Sequence, residues 1–491
     1  MSRAIYLSED IRRIESAAGA VSPTLMARAG EAAAALALQL LPQQGKDVLV
    51  LAGPGNNGGD AYEVAARLKA AFLRVAVVSP ADAAKLPPDA AEALRKWRAA
   101  GGETLAAVPE GRRWSLVVDG LFGIGLTRAP EGEYAQLIDY ANAQSCPVLA
   151  LDIPSGLASD SGRALGPAVR ATHTITFIAL KPGLLTLDGP DHCGALQVAT
   201  LDLDVRGLLA PKGWIAEPAT MRWVLKPRPR EFHKGQAGSL GILGGAAGMV
   251  GAALLAGRAA LRLGAGRVYV GLLDHAAPAV DPVAPELMLR HPDDALGQSL
   301  DAIVVGPGLG QSERADTLVG AALASDMPCV LDADALNILA EDSDLRTACA
   351  RRRADTIITP HPGEAARLLQ TRVAEVQADR LARARALAEH FNAHTVLKGN
   401  GSVLVARDGH WFINTAGNPG MASAGMGDTL SGFLGALLAQ GYSGEAALVL
   451  GVHLHGAAAD ALVAQGVGPV GLTAGELIEP ARSLWNGWLK G

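Results

Sequence analysis

Two successive α/β domains are predicted for this chain, on three observations. At 491 residues it exceeds what one hydrophobic core organises. Short β-branched runs ending in Gly, Pro or Asp alternate with Ala/Leu/Glu/Arg stretches of helical period, the pattern of a parallel sheet with helices on both faces. That alternation breaks near residue 220, where prolines and charges gather and the period is lost. The expected domains are therefore residues 1–220 and 221–491.

In the first half the strand-like runs are "DVLVLAG", "RVAVVS", "SLVVDGLFG", "CPVLALDIPSG" and "HTITFIAL", with helical stretches such as "AYEVAARLKAAF" and "DAAEALRKWRAA" between them. A parallel sheet of this kind binds ligands outside its strand C-termini. Three loops are expected there: "GPGNNGGD", "DGLFGIGL" and "DIPSGL". In the second half the runs are "LGILGG", "RVYVGLL", "AIVVGPG", "CVLDAD", "TIITPHPGE" and "HTVLKGNGSVLVA", and they do not copy the first set.

Composition narrows the function classes. Hydrophobic residues make up 49% of the chain, aromatics only 4%, and there are 58 glycines, so the interior should be Ala, Val and Leu joined by tight turns. A net charge of −6 gives no electrostatic footprint for nucleic acid or an anionic membrane. The local basic runs, "KPRPREFHK" from Lys226 and "RRR" from Arg351, read as linker and solvated face. Cys146, Cys193, Cys329 and Cys349 are far apart, so neither a disulfide framework nor a zinc site is expected, and a reducing cytoplasm is the default. No signal peptide or membrane span is expected, because the opening stretch lacks a long apolar run and later apolar segments are short. A soluble, cytoplasmic homo-oligomer is the expectation.

Gly53, Gly55 and Gly58 satisfy G-x-G-x-x-G, which brings a phosphate close to backbone N–H groups at a helix start. The acid that an NAD-binding domain places at the end of its second strand is missing, since "RVAVVSPAD" ends there in Ser79-Pro80. A purely structural turn is the alternative. Asn56, Asn57 and Asp60 add oxygens that a turn does not need. With Asp119 and Ser155 at other strand ends, neutral oxygens and one carboxylate suit a monovalent cation. Asp152 is a candidate acid/base group, with an Asx turn or helix cap as the alternative.

In the second half, "NTAGNPGMASAGMGDTLSG" sets Ala424, Gly425, Met426 and Gly427 before an apolar helix, so that successive N–H groups form an anion hole. Asp428 caps that helix. A carboxylate beside an anion hole suits phosphoryl transfer, accepting the proton of the attacking hydroxyl. Lys398, Gly399, Asn400, Gly401 and Ser402 form a strand–turn–strand suited to phosphates or adenosine, or else a simple hairpin. His361 and Glu364 stand at a strand-to-helix turn, where His361 meets a substrate or is incidental to a cap. Gly308 lies in "VVGPGLG", and Ala253 in a small-residue helix that permits close packing. There is no P-loop motif.

Residues 1–215, through "GPGNNGGD", "DGLFGIGL", "DIPSGL" and the lysine of "FIALKPG", resemble the NAD(P)H-hydrate epimerase domain, a Rossmann-like three-layer sandwich. The resemblance implies hydrate binding by Asn56, Asn57, Gly58, Gly59, Asp60, Gly123, Ile124, Gly125, Leu126 and Asp152, and K+ at Asn57, Asp119 and Ser155. Asp152 would serve as the acid/base group, and Lys181 would position the pyrophosphate or shuttle a proton unless it is a snorkelling surface lysine.

Residues 222–489 resemble the ADP/ATP-dependent NAD(P)H-hydrate dehydratase family, with a ribokinase-like fold, through "HKGQAGSLGILGG", "VVGPGLG", "VLDADALN", "TPHPGE", "KGNGS" and "AGMGDTLSG". The resemblance implies substrate contacts at Ala253, Gly308, His361 and Asp428, nucleotide contacts at Lys398 through Ser402 and at Gly427, and Mg2+ with ADP as co-substrate. Asn400 stands where the family often has alanine. The expected activity is nicotinamide cofactor repair: interconversion of R and S NAD(P)H hydrates, and dehydration of the S form with ADP giving AMP and phosphate. The rival is a small-alcohol kinase for a vitamin precursor, joined to a non-catalytic binding module.

Overall fold

The computed structural model describes residues 3–225 and 227–490. Lys226, the first residue of the basic stretch, lies outside the described residues. The chain forms two compact units, one from Ala4 to Lys212 and one from Gly213 onward. The division falls ahead of the expected position near residue 220. The reason is the strand Gly213–Ile215, which pairs with Trp411–Asn414 and so belongs to the second sheet.

The first unit holds a seven-stranded parallel sheet in the spatial order Thr104–Leu105, Arg74–Val78, Asp47–Ala52, Leu116–Gly120, Val148–Leu151, His173–Phe177, Ala195–Ala199. Side chains alternate across it. Val48, Val50, Val118, Leu149 and Ile175 pack toward Ala33, Ala37, Tyr62, Leu68 and Trp97 of the helices on one face. Leu49, Leu51, Val117 and Ala150 pack toward Leu137, Ile138 and Ala141 on the other. Burial on both faces is why these strands read as unbroken apolar runs. The chain begins at the centre, runs to one edge, then returns to build the other, so strand order switches between Asp47–Ala52 and Leu116–Gly120. Crevices form at such switch points.

The second sheet runs Gly213–Ile215, Trp411–Asn414, Ser402–Val405, His394–Leu397, Thr356–Ile358, Cys329–Leu331, Ala302–Val305, Ser239–Gly244, Arg267–Leu272, Met288–Arg290. Its pairings are parallel except that Ser402–Val405 is antiparallel to both neighbours. On one face Leu240, Ile242, Val268, Val270, Val304 and Val330 meet the helices Val250–Arg262, Met426–Ala439 and Gly444–Ala464. Met426–Ala439 is apolar all round because it is enclosed, with Phe433, Leu434 and Leu437 fully buried. Each such side chain contributes about 1.5–3 kcal/mol relative to exposure. The helix Gly444–Ala464 is long and apolar enough to cross a membrane, but 72% of its window is buried.

One sequence expectation fails in the "RRR" run. Arg351 and Arg353 are exposed, but Arg352 is buried. Its guanidinium donates to the carbonyls of Ala322 at 2.9 Å, Leu323 at 2.6 Å, Ser325 at 2.7 Å and Met327 at 2.5 Å, and to Thr356 Oγ1 at 2.9 Å. A helix end that needs its last carbonyls satisfied has taken the middle arginine inward.

The glycine-rich turn is fixed by close approach. A Cβ on Gly53 would lie 1.6 Å from the Leu121 carbonyl oxygen, and one on Gly58 would lie 2.0 Å from that of Gly53. Gly53→Ala is therefore expected to destabilise the first unit by about 2 kcal/mol or more, since the obstacle is backbone. Calorimetric unfolding of the full chain, with one transition lowered against the parent, is the check.

Candidate active sites

The strand C-termini of the first unit bring the predicted loops together around a cleft of about 500 Å³. Asn56, Asn57, Asp60, Gly123, Ile124, Gly125, Leu126 and Asp152 line it. Gly58 and Gly59 do not. They sit in the buried first turn of helix Asn56–Ala70, where a Cβ would strike the Gly53 carbonyl or Met26. Arg12, Glu15 and Arg128 also line the cleft and were not singled out from sequence. Arg12 and Glu15 belong to an amphipathic helix, Ser8–Ala18, whose polar face looks like any solvated surface.

Asp152 ends its strand with φ of +65°, a left-handed conformation that costs a non-glycine residue on the order of 1–3 kcal/mol. Bonds on both sides hold it. Its N–H donates to the Ile175 carbonyl at 2.7 Å, and its Oδ1 accepts from the Phe177 N–H at 3.3 Å and from the Lys181 ammonium. Lys181 is fully buried, which removes the surface-lysine alternative. It also donates to Thr176 Oγ1 and the Phe177 carbonyl, both at 2.8 Å. With three donors spent, none is left for a pyrophosphate.

Two more acids share this space. Burial, and then the charge of Asp152, holds the Asp60 carboxyl well above the usual carboxylate range. Glu15 is raised for the same two reasons. Carboxylates this close and this dry cannot all ionise. Asp60 is the acid displaced furthest toward its neutral form.

Beside them, Asp119 accepts from Ser155 Oγ at 2.6 Å, Ser155 N–H at 2.8 Å and Leu121 N–H at 3.2 Å. Even so, burial pushes its carboxyl up to about 6. Asn57 Nδ2 donates to the Leu151 carbonyl at 3.1 Å, leaving Asn57 Oδ1 buried without a partner. A Cβ on Gly123 would stand 3.4 Å from both Asn57 Cγ and Asp152 Oδ2, so these two side chains face one space. An orphaned amide oxygen and a desolvated carboxylate form a donor set that fits a monovalent cation.

In the second unit, Asp428 lies in the first turn of helix Met426–Ala439, after Gly425 with φ of +86°. Its carboxylate has no hydrogen-bond partner among the described residues. Burial, then the charges of Asp332 and Asp334, raise it to about 6 against the pull of Lys398. Lys398 Nζ donates to Asp332 Oδ1 at 3.1 Å and lies 3.9 Å from Glu364 Oε2. Thr359 Oγ1 and Ser431 Oγ donate to Asp332 at 2.6 and 2.7 Å. Burial raises the Asp332 carboxyl, but Lys398 and these hydroxyls bring it below its ordinary value. A Cβ on Gly427 would come within 3.3 Å of Asp332 Oδ2 and 3.4 Å of Lys398 Nζ, so Gly427 is in the cluster.

His361 caps helix Pro362–Leu368. Its Nδ1 accepts from Gly363 N–H at 3.0 Å, and its Nε2 lies 3.2 Å from Glu364 Oε1, which fixes the ring while half of it stays exposed. Gly399 and Ser402 bond each other across the hairpin turn, and Gly399 rests on the buried Arg380, whose guanidinium nitrogen a Cβ would meet at 2.5 Å. Gly308 accepts from the Ala246 N–H at 2.7 Å. Ala253, expected to touch substrate, is fully buried, and its methyl group faces Gly244 and Gly245. It supports the turn from beneath. Asp332, Asp334 and Arg380 were not picked out as site residues. Asp332 and Asp334 stand in "VLDADALN", where two acids after a strand were the available signal.

All four cysteines are free. Among the described residues no group of three or more His, Cys, Asp or Glu side chains is placed to hold a metal ion.

A switch-point cleft with paired acids in one unit, and a helix-start carboxylate beside a lysine-bearing nucleotide-type loop in the other, define a two-domain α/β enzyme of nucleotide chemistry. Comparison with known proteins names it further. Residues 22–183 match the family described as YjeF-related protein N-terminus, and residues 240–480 match NAD(P)H-hydrate dehydratase. The chain is 42% identical over 98% of its length to the bifunctional NAD(P)H-hydrate repair enzyme Nnr of Escherichia coli, covering 94% of that protein. It is 39% identical to the Nnr of Coxiella burnetii, covering 98% of this chain and 99% of that one. The crystal structure of the ADP/ATP-dependent NAD(P)H-hydrate dehydratase from Bacillus subtilis, co-crystallised with ATP/Mg2+, matches 56% of this chain and 98% of that one at 33% identity, with a TM-score of 0.51. The chain belongs to the family of bifunctional NAD(P)H-hydrate repair enzymes.

Lys181→Met would leave the buried Asp152 carboxylate without its ammonium partner, and is expected to cost about 3–5 kcal/mol. Adding Asp152→Asn should recover a large part of that loss, because the two changes act on one contact. Denaturant midpoints of the two single variants and the double variant measure the coupling directly.

Proposed function

We propose that the first unit interconverts the R and S hydrates of NAD(P)H and that the second dehydrates the S form with ADP. The observation that carries the reading is Asp428, an unpaired carboxylate at a helix start, set against Lys398 and the turn Lys398–Ser402. A hydrated nicotinamide carries a hydroxyl on the carbon next to the ring nitrogen, and hydroxide is a poor leaving group. Asp428 takes the hydroxyl proton as that oxygen attacks the terminal phosphorus of ADP, and AMP departs. Lys398 and the helix-start amides meet the charge on the moving phosphoryl group. The carbon–oxygen bond then breaks with phosphate as leaving group, and loss of the neighbouring ring proton restores the reduced nicotinamide. His361 and Gly308 border the ring. Mg2+ would accompany the nucleotide phosphates and neutralise the charge that develops there.

In the first unit the hydroxyl leaves with a proton from Asp60, the acid whose burial favours its neutral form. Water returns on either face of the iminium-like ring and gives its proton to Asp152. Lys181 does not touch the hydrate; it pins Asp152 in its left-handed position. Asn57, Asp119 and Ser155 would hold a potassium ion, which would supply positive charge beside the cleft. Joined in one chain, the two activities return both epimers to use.

Dehydration is expected to rise about tenfold per pH unit up to about 6 and then level off, because Asp428 must be ionised to act as base. Asp332→Asn should move that midpoint downward by removing the adjacent charge. The assay is recovery of the near-ultraviolet absorbance of NADH from its hydrate with ADP, and AMP and phosphate should appear in step. A phosphorylated product without recovery would mean a kinase instead. For the first unit, Asp152→Ala is expected to slow epimer exchange about 10²–10⁴-fold. Exchange no faster in the parent than in buffer would make that unit a binding module.

A further inference from the structure

The second unit has another cleft, of about 540 Å³, at the carboxyl ends of strands Ser239–Gly244, Arg267–Leu272 and Met288–Arg290. Ala246 forms one wall, His275 and His291 a second, and Arg314 a third. The two imidazole rings lie within 14° of parallel, with centroids 5.4 Å apart. Asp293 serves as counter-ion to this wall. Its carboxylate meets the Arg314 guanidinium and lies 3.5 Å from His291 Nδ1.

The wall of the cleft is linked to the residues around Asp428 through a short chain of contacts. Asp334, whose charge bears on Asp428, accepts the Gly310 N–H at 2.8 Å. A Cβ on Gly310 would touch that of Ala246 at 3.4 Å, and the Ala246 N–H donates to the Gly308 carbonyl. So the cleft begins where the loop proposed to border the nicotinamide ends. The hydrate is a dinucleotide. With its ring at Asp428 and ADP on the Lys398–Ser402 turn, its adenosine half must lie elsewhere.

Resting on the dehydratase reading of this unit, we propose that the cleft seats the adenosine half of the hydrate, with the Arg314 guanidinium favouring a 2′-phosphate and so the NADPH form. A flat base suits the imidazole wall, and a guanidinium fork matches phosphate oxygens in pairs. Without that phosphate Arg314 stays with Asp293, and an unphosphorylated ribose gains little from it.

The test uses the full chain with saturating ADP. Arg314→Ala should raise KM for NADPH hydrate about tenfold, with kcat and the KM for ADP unchanged and the KM for NADH hydrate within about twofold. Asp293→Asn should lower KM for NADPH hydrate by freeing Arg314. In parallel, calorimetric titration with adenosine 2′,5′-bisphosphate in the presence of ADP should show affinity about tenfold weaker in Arg314→Ala than in the parent. Binding to the first unit is common to both proteins and cancels. Equal effects on the two hydrates, or no change in KM and probe affinity, would overturn the assignment. A parent chain that never dehydrates the hydrate would overturn the repair reading instead, and the calorimetric comparison would still decide what the cleft binds.

Discussion

Each unit places a cluster of carboxylates where water is scarce and gives that cluster one ammonium. In the first unit Lys181 has no exposed surface and lies against Asp152, with Asp60 and Glu15 nearby. In the second, Lys398 lies against Asp332, with Glu364 and Asp428 nearby. Taking a charge out of water costs several kcal/mol, which a partner offsets only at close range. One ammonium therefore supports one anion well and leaves the other acids displaced toward their neutral forms. In the first unit this shortage of positive charge underlies the proposed pairing of Asp60 as proton donor with Asp152 as proton acceptor.

Backbone architecture decides where the shortage occurs. The first sheet starts centrally, and the second does so from Ser239–Gly244 after the outlying strand Gly213–Ile215; each then reverses its direction of build, and the loops at the reversal cannot cover one another. In the first unit that gap, flanked by the loops after Ala52 and Gly120, holds the acids; in the second the Lys398 cluster stands farther along the sheet, after strands Cys329–Leu331, Thr356–Ile358 and His394–Leu397. The glycines fit the gap sterically. Gly53 lets two strand ends approach, and Gly427 leaves room for Lys398 beside Asp332.

Much of this was legible in the amino acids. Strands buried on both faces, such as Asp47–Ala52 and Ala302–Val305, announce themselves as unbroken apolar runs. Edge strands such as Ala195–Ala199 and Met288–Arg290 do not, because half their side chains face solvent and their composition resembles loop. The loops at strand ends pointed to Asp152 and Lys398, whose residue types are unusual after apolar runs, and the small residues before an apolar helix pointed to Asp428. Partnerships were less visible. That Lys181 turns inward, that Arg352 serves carbonyls, and that Asp332 rather than a surface group faces Lys398 all depend on contacts between segments distant in the chain. Gly58, Gly59 and Ala253 show the converse, since small residues near a site need not be exposed in it.

The helix Met426–Ala439 carries Asp428 at one end and is sheathed by apolar neighbours along the rest. A carboxylate mounted this way has no flexible hinge of its own. Its position is inherited from the densest part of the domain, so it cannot loosen before that interior does. Loss of the dehydratase step on warming should accordingly coincide with cooperative melting of the whole domain, with no earlier inactive yet folded stage.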